Sequence, residues 1–148
     1  MTTPLHPLIR RLVDEQGASA VNTATLDDFV ARGGEQVLFF SGDPVRFPEG
    51  LDVAVVLPEL HRAFCGRFAI GVVERDDEDA VARRFGAQHW PSLVFLRDGR
   101  YVATVAGMKD WDDYQRDVAS ALAAPATRAP TIGIPVVGSG GNAASACH

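Results

Sequence analysis

Apolar residues recur along the chain in two alternating rhythms, and their order predicts a layered α/β domain. Leu5, Leu8, Ile9, Leu12 and Val13 fall at helical spacing. Thr3 can cap ahead of Pro4 and Gly17 can end the helix in a left-handed conformation, so the first helix is expected over residues 4–16. Ala18 to Asn22 is short enough for an edge strand. Thr25-Leu26-Asp27-Asp28 has the form of a capping box, with Asp in place of Glu, opening a helix that stops at Gly33-Gly34. Gln36-Val37-Leu38-Phe39-Phe40 is a continuous apolar run between turn-forming residues, the mark of a strand covered on both faces in the middle of a sheet.

The stretch from Ser41 to Gly50 holds two prolines and two glycines and is expected to be a loop. Leu51 to Phe64 has helix-compatible spacings, with Pro58 expected to kink it. Phe68 to Val73 predicts the next strand. Asp76-Asp77-Glu78-Asp79 then opens a helix through Phe85, its acidic first turn suiting the positive end of the helix dipole and Gly86 ending it. Leu93 to Leu96 is a strand, Asp98-Gly99 a hairpin turn and Tyr101 to Val105 the returning strand, with Gly107 marking a bulge or bend. The last helix begins near Asp110 and carries Trp111, Tyr114, Val118 and Leu122 on one side, Trp111 being expected to pack; it ends by Pro125. The remainder to His148 is rich in Ala, Gly, Pro and Ser with one charge, Arg128, and is expected to be a flexible tail over 125–148.

This order, a βαβ half followed by a hairpin and a terminal helix with an X-Pro step before the hairpin, resembles the thioredoxin fold over residues 18–124. The fold class expected is α/β, thioredoxin-like: a mixed central sheet with a C-terminal β-hairpin and flanking helices, one domain over residues 1–124. In that fold the proline is cis. Here the step is Trp90-Pro91, and a cis bond would leave the Trp90 backbone open to an extended peptide.

Composition narrows the function classes. A chain of 148 residues, 47% hydrophobic and 22% charged, suits one globular domain, and a net charge of −5 argues against nucleic acid and for a basic partner. No apolar stretch approaches the roughly 20 residues of a spanning helix, and no charged n-region precedes an apolar core at the N-terminus, so a soluble cytoplasmic protein is expected. Cys65 and Cys147 are far apart, and a structural disulfide has little support.

Where thioredoxins carry a C-x-x-C pair, this chain reads Ser41-Gly42-Asp43-Pro44-Val45-Arg46-Phe47-Pro48-Glu49-Gly50-Leu51-Asp52, with neither the attacking nor the resolving thiol. Disulfide exchange is therefore not expected and no catalytic residue is assigned. The same segment opens a series of motifs: S-G-D-P-V-R-F-P-E, D-V-A-V-V-L-P-E-L-H-R-A-F, R-F-G, W-P-S-L-V-F, D-G-R-Y and G-M-K-D-W-D-D-Y. Together these resemble the HupG/HyaE hydrogenase-expression family along nearly the whole chain to about Ala124. The resemblance implies a non-catalytic accessory protein in [NiFe]-hydrogenase maturation, acting on the small-subunit precursor through its twin-arginine signal peptide, with other hydrogenase accessory proteins as further partners and no cofactor.

A receptor for such a peptide needs acidic groups beside an apolar groove, since the peptide has a basic n-region and an apolar h-region. The candidates are Asp76, Asp77, Glu78 and Asp79, with Glu74 beside them; Asp43, Glu49, Asp52 and Glu59 near the former redox loop; and Phe47, Trp90 and Pro91 as the apolar part. Structural roles compete with each. The first cluster also suits a solvated helix N-terminus, Asp43 a turn, and Arg46 an ion pair with Glu49 or Asp52 that holds the loop. His61 and Cys65 lie four apart on the predicted helix, but two ligands make an incomplete metal site; a packed cysteine and a surface histidine are expected, and no metal. Two other functions remain open, a single-thiol redox protein using Cys65 and a scaffold for other maturation factors.

Overall fold

The computed structural model describes residues 3–129 of the chain. A five-stranded mixed sheet in the order β1-β3-β2-β4-β5 lies between two layers of helices. Its strands are β1 (Ser19–Val21), β2 (Glu35–Phe40), β3 (Ala69–Val73), β4 (Ser92–Arg97) and β5 (Arg100–Ala106). The first three run parallel, and β4 and β5 join antiparallel, so β2 is central and β1 an edge, as the hydrophobic runs predict. This is the thioredoxin-like arrangement.

The helices are α1 (Pro7–Glu15), α2 (Leu26–Ala31), α3 (Glu49–Ala63), α4 (Glu78–Phe85) and α5 (Trp111–Ala123). In β2, alternate side chains feed opposite layers. Val37 and Phe39 pack with Leu12, Leu57, Leu60, Tyr114 and Val118 of α1, α3 and α5. Leu38 and Phe40 pack with Leu26, Phe29, Val81 and Phe85 of α2 and α4. Such two-sided burial is why β2 shows no polar alternation. A Cβ at Gly71 on β3 would meet the Phe29 ring at 2.9 Å, so the missing side chain sets how closely α2 approaches the sheet.

Several local expectations give way to other partners. The first helix begins at Pro7, not Pro4, with the His6 Nδ1 accepting the Leu8 amide as the cap. Thr3 instead donates its amide to Asp76 across the molecule. The capping box at Thr25 does not form: its hydroxyl accepts the Asn22 amide, while the Asn22 side chain accepts the amides of Ala24 and Thr25. The third helix starts at Glu49, two residues before the expected Leu51, and continues through Pro58 to Ala63. Asp76 and Asp77 form a 3₁₀ turn with Arg75, and α4 proper starts only at Glu78.

The hairpin turn at Asp98-Gly99 has positive φ at both residues, 50° and 81°, the form that matches the twist of two antiparallel strands. Asp98 also accepts the Gly34 amide at 2.7 Å, tying the turn to the start of β2. The irregularity in the hairpin falls between Phe95 and Leu96 on β4, leaving Val102 as the extra residue on β5; Gly107 is a separate left-handed residue beyond the strand. Trp111, expected to pack, is 41% exposed, and the buried stripe of α5 is Tyr114, Val118, Ala121 and Leu122.

After α5 the chain stays on the body for a few residues. Arg97 donates to the carbonyls of Ala121, Leu122 and Ala124 while pairing with Glu35 at 2.6 Å, and the Thr127 amide bonds the Tyr101 carbonyl at 2.7 Å. The expected tail at 125–148 is thus docked at its beginning; from residue 130 it lies outside the described residues, as does Cys147. Among the described residues, no helix is long and apolar enough to cross a membrane.

Candidate functional site

The site is built where β2 gives way to α3. Ser41 and Gly42 are buried, and the chain then turns on Asp43, whose carboxylate accepts the Val45 amide at 3.1 Å and whose carbonyl accepts the Phe47 amide at 2.7 Å. Gly42 has φ +77°, and a Cβ there would stand 2.8 Å from the Phe47 ring and 2.9 Å from the Trp90 Cβ. The absent side chain is what lets Phe47 and Trp90 flank this backbone. A Cβ on Gly50 would collide with the Ser41 carbonyl, so the first turn of α3 also sits tight against the end of β2. The loop contains no thiol.

Two further segments converge on it. The Trp90-Pro91 bond is cis, Pro91 is buried, and the half-buried Trp90 ring stacks on Phe40 with centroids 5.9 Å apart and planes 8° from parallel. The Pro91 carbonyl accepts the Gly107 amide at 2.8 Å. Tyr114 then holds the Gly107 carbonyl through its hydroxyl at 2.7 Å, and burial pushes that phenol up to about 12. Met108 and Trp111 follow at once and are 37% and 41% exposed; Val45, on the loop, is 88% exposed. One end of the molecule therefore presents Val45, Phe47, Trp90, Met108 and Trp111 from three segments.

The expected acidic residues divide. Asp43, Glu49 and Asp52 belong to this end, in the loop and the first turn of α3, where exposed Glu49 adds negative potential toward Tyr114. Asp79 is exposed and shares a depression of about 280 Å3 with Arg83 and Trp90. Glu59 does not join them. It lies ~15 Å further along α3 and pairs with Arg62 beside α1.

Asp76 and Asp77 are clamps for other segments. Asp76 accepts the Thr3 amide at 2.8 Å, and the hydroxyl and amide of Thr3 together hold its carboxyl below the usual range, while Asp77 accepts the amide and hydroxyl of Thr23. Glu78 is not a surface carboxylate. It is 1% exposed, accepts the Gly42 amide at 2.9 Å and pairs with Arg75 at 2.5 Å. Burial raises its pKa, against the pull of the Gly42 amide and the Arg75 charge.

Arg46 makes neither expected ion pair and lies over the Phe47 ring at 5.3 Å. Cys65 and His61 exchange their expected environments. Cys65 is exposed, past the end of α3 with φ +56°, while half-buried His61 packs edge-on against Phe68 at 5.2 Å. Since α3 runs from Glu49 to Ala63, its length of roughly 22 Å separates Cys65 from the loop where redox thiols would stand. Among the described residues no group of three or more His, Cys, Asp or Glu is placed to hold a metal ion.

Sequence reasoning missed Met108 and Trp111 as surface residues of this end. The signal was present in the left-handed Gly107 directly after a strand, which turns the next residues out of the sheet. It also missed that Glu78 faces inward, which no pattern of four consecutive acids reveals.

Comparison with known proteins agrees with this geometry. A thioredoxin variant from Halobacterium salinarum superposes with a TM-score of 0.58 at 24% identity, covering 71% of this chain and 90% of its own, a likeness of fold alone. The crystal structure of the hydrogenase expression/formation protein HupG from Rhodopseudomonas palustris matches with a TM-score of 0.52 at 43% identity, over 71% of this chain and 95% of that one. The hydrogenase expression/formation protein HoxO of Cupriavidus necator is 55% identical over 99% of this chain and 91% of its own length. HupG of Bradyrhizobium diazoefficiens is 38% identical over 82% and 84%. Residues 8–114 match the family of the hydrogenase-1 expression protein HyaE, and the chain belongs to that family of hydrogenase expression proteins.

Proposed function

We propose that this protein is a non-catalytic chaperone of hydrogenase maturation that binds the small-subunit precursor through its twin-arginine signal peptide in the cytoplasm. The accessory role in maturation follows from the family. The observation that carries the finer reading is the pairing, at one end of the molecule, of exposed and half-buried apolar side chains with carboxylates and no thiol. Val45, Phe47, Trp90, Met108 and Trp111 offer apolar contact from three segments. Asp43, Glu49, Asp52 and Asp79 lie around them.

A signal peptide has the complementary order, a basic stretch followed by an apolar one. Aromatic and methionine side chains can accept varied apolar sequences because they bury large area with few specific hydrogen bonds. The carboxylates supply orientation and association rate more than affinity, since exposed charge pairs are individually weak. Without a thiol at the loop, disulfide exchange with a bound segment is closed, and the segment leaves by dissociation.

Calorimetric titration with the precursor, and with the same subunit lacking its signal peptide, at low and moderate salt, tests this. Binding that weakens with salt and disappears with the signal peptide is the expected result. Equal binding of both forms, or of neither, replaces the reading with a scaffold that joins other maturation factors. The single-thiol alternative has the exposure of Cys65 in its favour, but that residue stands at the far end of α3. Cys65→Ser is expected to leave hydrogenase maturation unchanged, and a loss would restore the redox alternative.

A further inference from the structure

Glu78 is an acidic side chain with almost no exposure, in a protein whose proposed function asks for acidic groups on the surface. Its two oxygens are both engaged. Oε2 accepts the Gly42 amide at 2.9 Å with the Ser41 hydroxyl 3.5 Å away, and Oε1 takes the Arg75 guanidinium at 2.5 Å. Gly42 is the residue whose backbone runs between Phe47 and Trp90. The carboxylate thus reaches from α4 to the start of the loop, linking two elements that share no other hydrogen bond among the described residues than those to Ser41 and Gly42.

A buried carboxylate is an expensive way to satisfy one amide. Stability alone is served as well by an apolar side chain and a loop amide turned to water, because removing both partners of a buried polar pair is often neutral. Holding a left-handed backbone beside two aromatic rings is a different task. A charged acceptor makes a shorter and stronger bond to an amide than a neutral one, and Arg75 fixes the carboxylate's own orientation through a bond confined to one turn. The same side chain explains why the acidic run at residues 76–79 is not uniform: Asp76 and Asp77 point to Thr3 and Thr23, Asp79 to solvent, and Glu78 inward.

We infer that Glu78, aligned by Arg75, is a positioning residue that holds the Ser41-Gly42 backbone in the conformation in which Phe47 and Trp90 flank it, and so sets the shape of the peptide-binding surface. This rests on the proposed peptide-binding function for its consequence, but the holding itself is measurable without any ligand.

The experiment measures two quantities on the full-length protein. One is hydrogen exchange at the Gly42 amide by NMR. The other is calorimetric affinity for a synthetic peptide carrying the small-subunit twin-arginine signal. The variants are Glu78→Gln, Glu78→Leu and, as a control of stability, Val118→Ala on α5. Gln keeps an acceptor, so Glu78→Gln should show Gly42 exchange and affinity intermediate between the wild type and Glu78→Leu. Glu78→Leu should expose the amide to exchange and weaken the peptide roughly tenfold, the weight of one charge-assisted hydrogen bond. Val118→Ala lowers thermal stability while leaving both readouts near wild type. If Glu78→Leu does not fold, Arg75→Met takes its place.

Wild-type protection of Gly42 in the Glu78 variants overturns the inference. So does a loss of affinity in Val118→Ala equal to theirs. If the wild type binds no signal peptide while Gly42 protection still depends on Glu78, the functional proposal fails and the positioning role stands.

Discussion

Replacing Gly42 by alanine tests the packing on which the site depends. Two costs can be separated. At φ +77° any side chain raises the backbone energy, by about 1 kcal/mol. The new methyl also meets the Phe47 ring at 2.8 Å and Trp90 at 2.9 and 3.0 Å, nearer than carbon atoms pack. One ring must move, and overpacking of this kind costs about 1–3 kcal/mol. Gly17 provides the reference, since its φ is +78° and nothing lies within 4 Å of its would-be Cβ. Gly17→Ala is expected to lose about 1 kcal/mol and Gly42→Ala about 2–4 kcal/mol. Urea unfolding, with a slope of about 1–3 kcal/mol per molar, resolves that gap, and in a Trp111→Phe background the stacking of Trp90 on Phe40 makes tryptophan fluorescence a local report. If the two variants lose the same stability and Trp90 emission is unchanged, Phe47 and Trp90 do not close on Gly42 and the packing argued for this end is wrong.

Three other outcomes follow from single contacts. Tyr114→Phe removes the hydroxyl that holds the Gly107 carbonyl and should cost about 1 kcal/mol near neutral pH. Because the native phenol titrates at about 12 against an unfolded value of 10, the folded state keeps its proton longer and wild-type stability should fall as pH rises through 10 to 12. The Phe variant should lack that component in denaturant titrations at matched pH. Arg97→Ala strips the carbonyls of Ala121, Leu122 and Ala124 of their donor and leaves Glu35 alone, for about 2 kcal/mol in urea; Lys in its place should recover less than half, lacking the planar fork. For Glu78, a folded pKa raised above 4.5 means the native state binds the proton more tightly, so wild-type stability relative to Glu78→Gln should be greatest below pH 4.5 and shrink as pH rises past it. Thermal melts of both proteins from pH 4 upward check the sign.

How much of this was legible without coordinates depended on whether a signal was local. The apolar run Val37–Phe40 and the Asp98-Gly99 turn each encode their own conformation, so the central strand and the hairpin follow from short windows. The Trp90-Pro91 step and the absence of thiols between β2 and α3 were likewise readable, because the fold assigns those places a meaning once the element order is known. Threonine N-caps failed as a guide, although Gly86 ends α4 in the expected left-handed conformation and Asp110 precedes α5 as expected. Thr3 and Thr25 are both good caps by type, but Thr3 found Asp76 and Thr25 found Asn22, partners that tertiary contact or a neighbouring turn supplies.

The acidic residues show the same limit at the site itself. Asp76, Asp77, Glu78 and Asp79 are chemically near-equivalent in sequence, and charge counting makes them one patch. A 3₁₀ turn followed by a helix rotates each into a different environment: Asp76 to the Thr3 amide, Asp77 to Thr23, Glu78 beneath Gly42, and Asp79 beside Trp90. Two carboxylates fasten other segments, one accepts the loop amide of Gly42, and one stands exposed in the depression beside Trp90. Neutralising the whole run would therefore change fold stability and groove shape together, and only Asp79→Asn isolates charge at the surface. That variant should lower stability by no more than about 1 kcal/mol, the weight of one carboxylate in the first turn of α4, weaken binding of a basic signal peptide by no more than about fivefold at low salt, and leave binding unchanged at high salt, as expected for one exposed charge worth about 0.2–1 kcal/mol. A salt-independent loss of tenfold or more in Asp79→Asn would mean instead that this carboxylate is buried by the bound peptide, and that the groove extends across α4 rather than ending at Trp90.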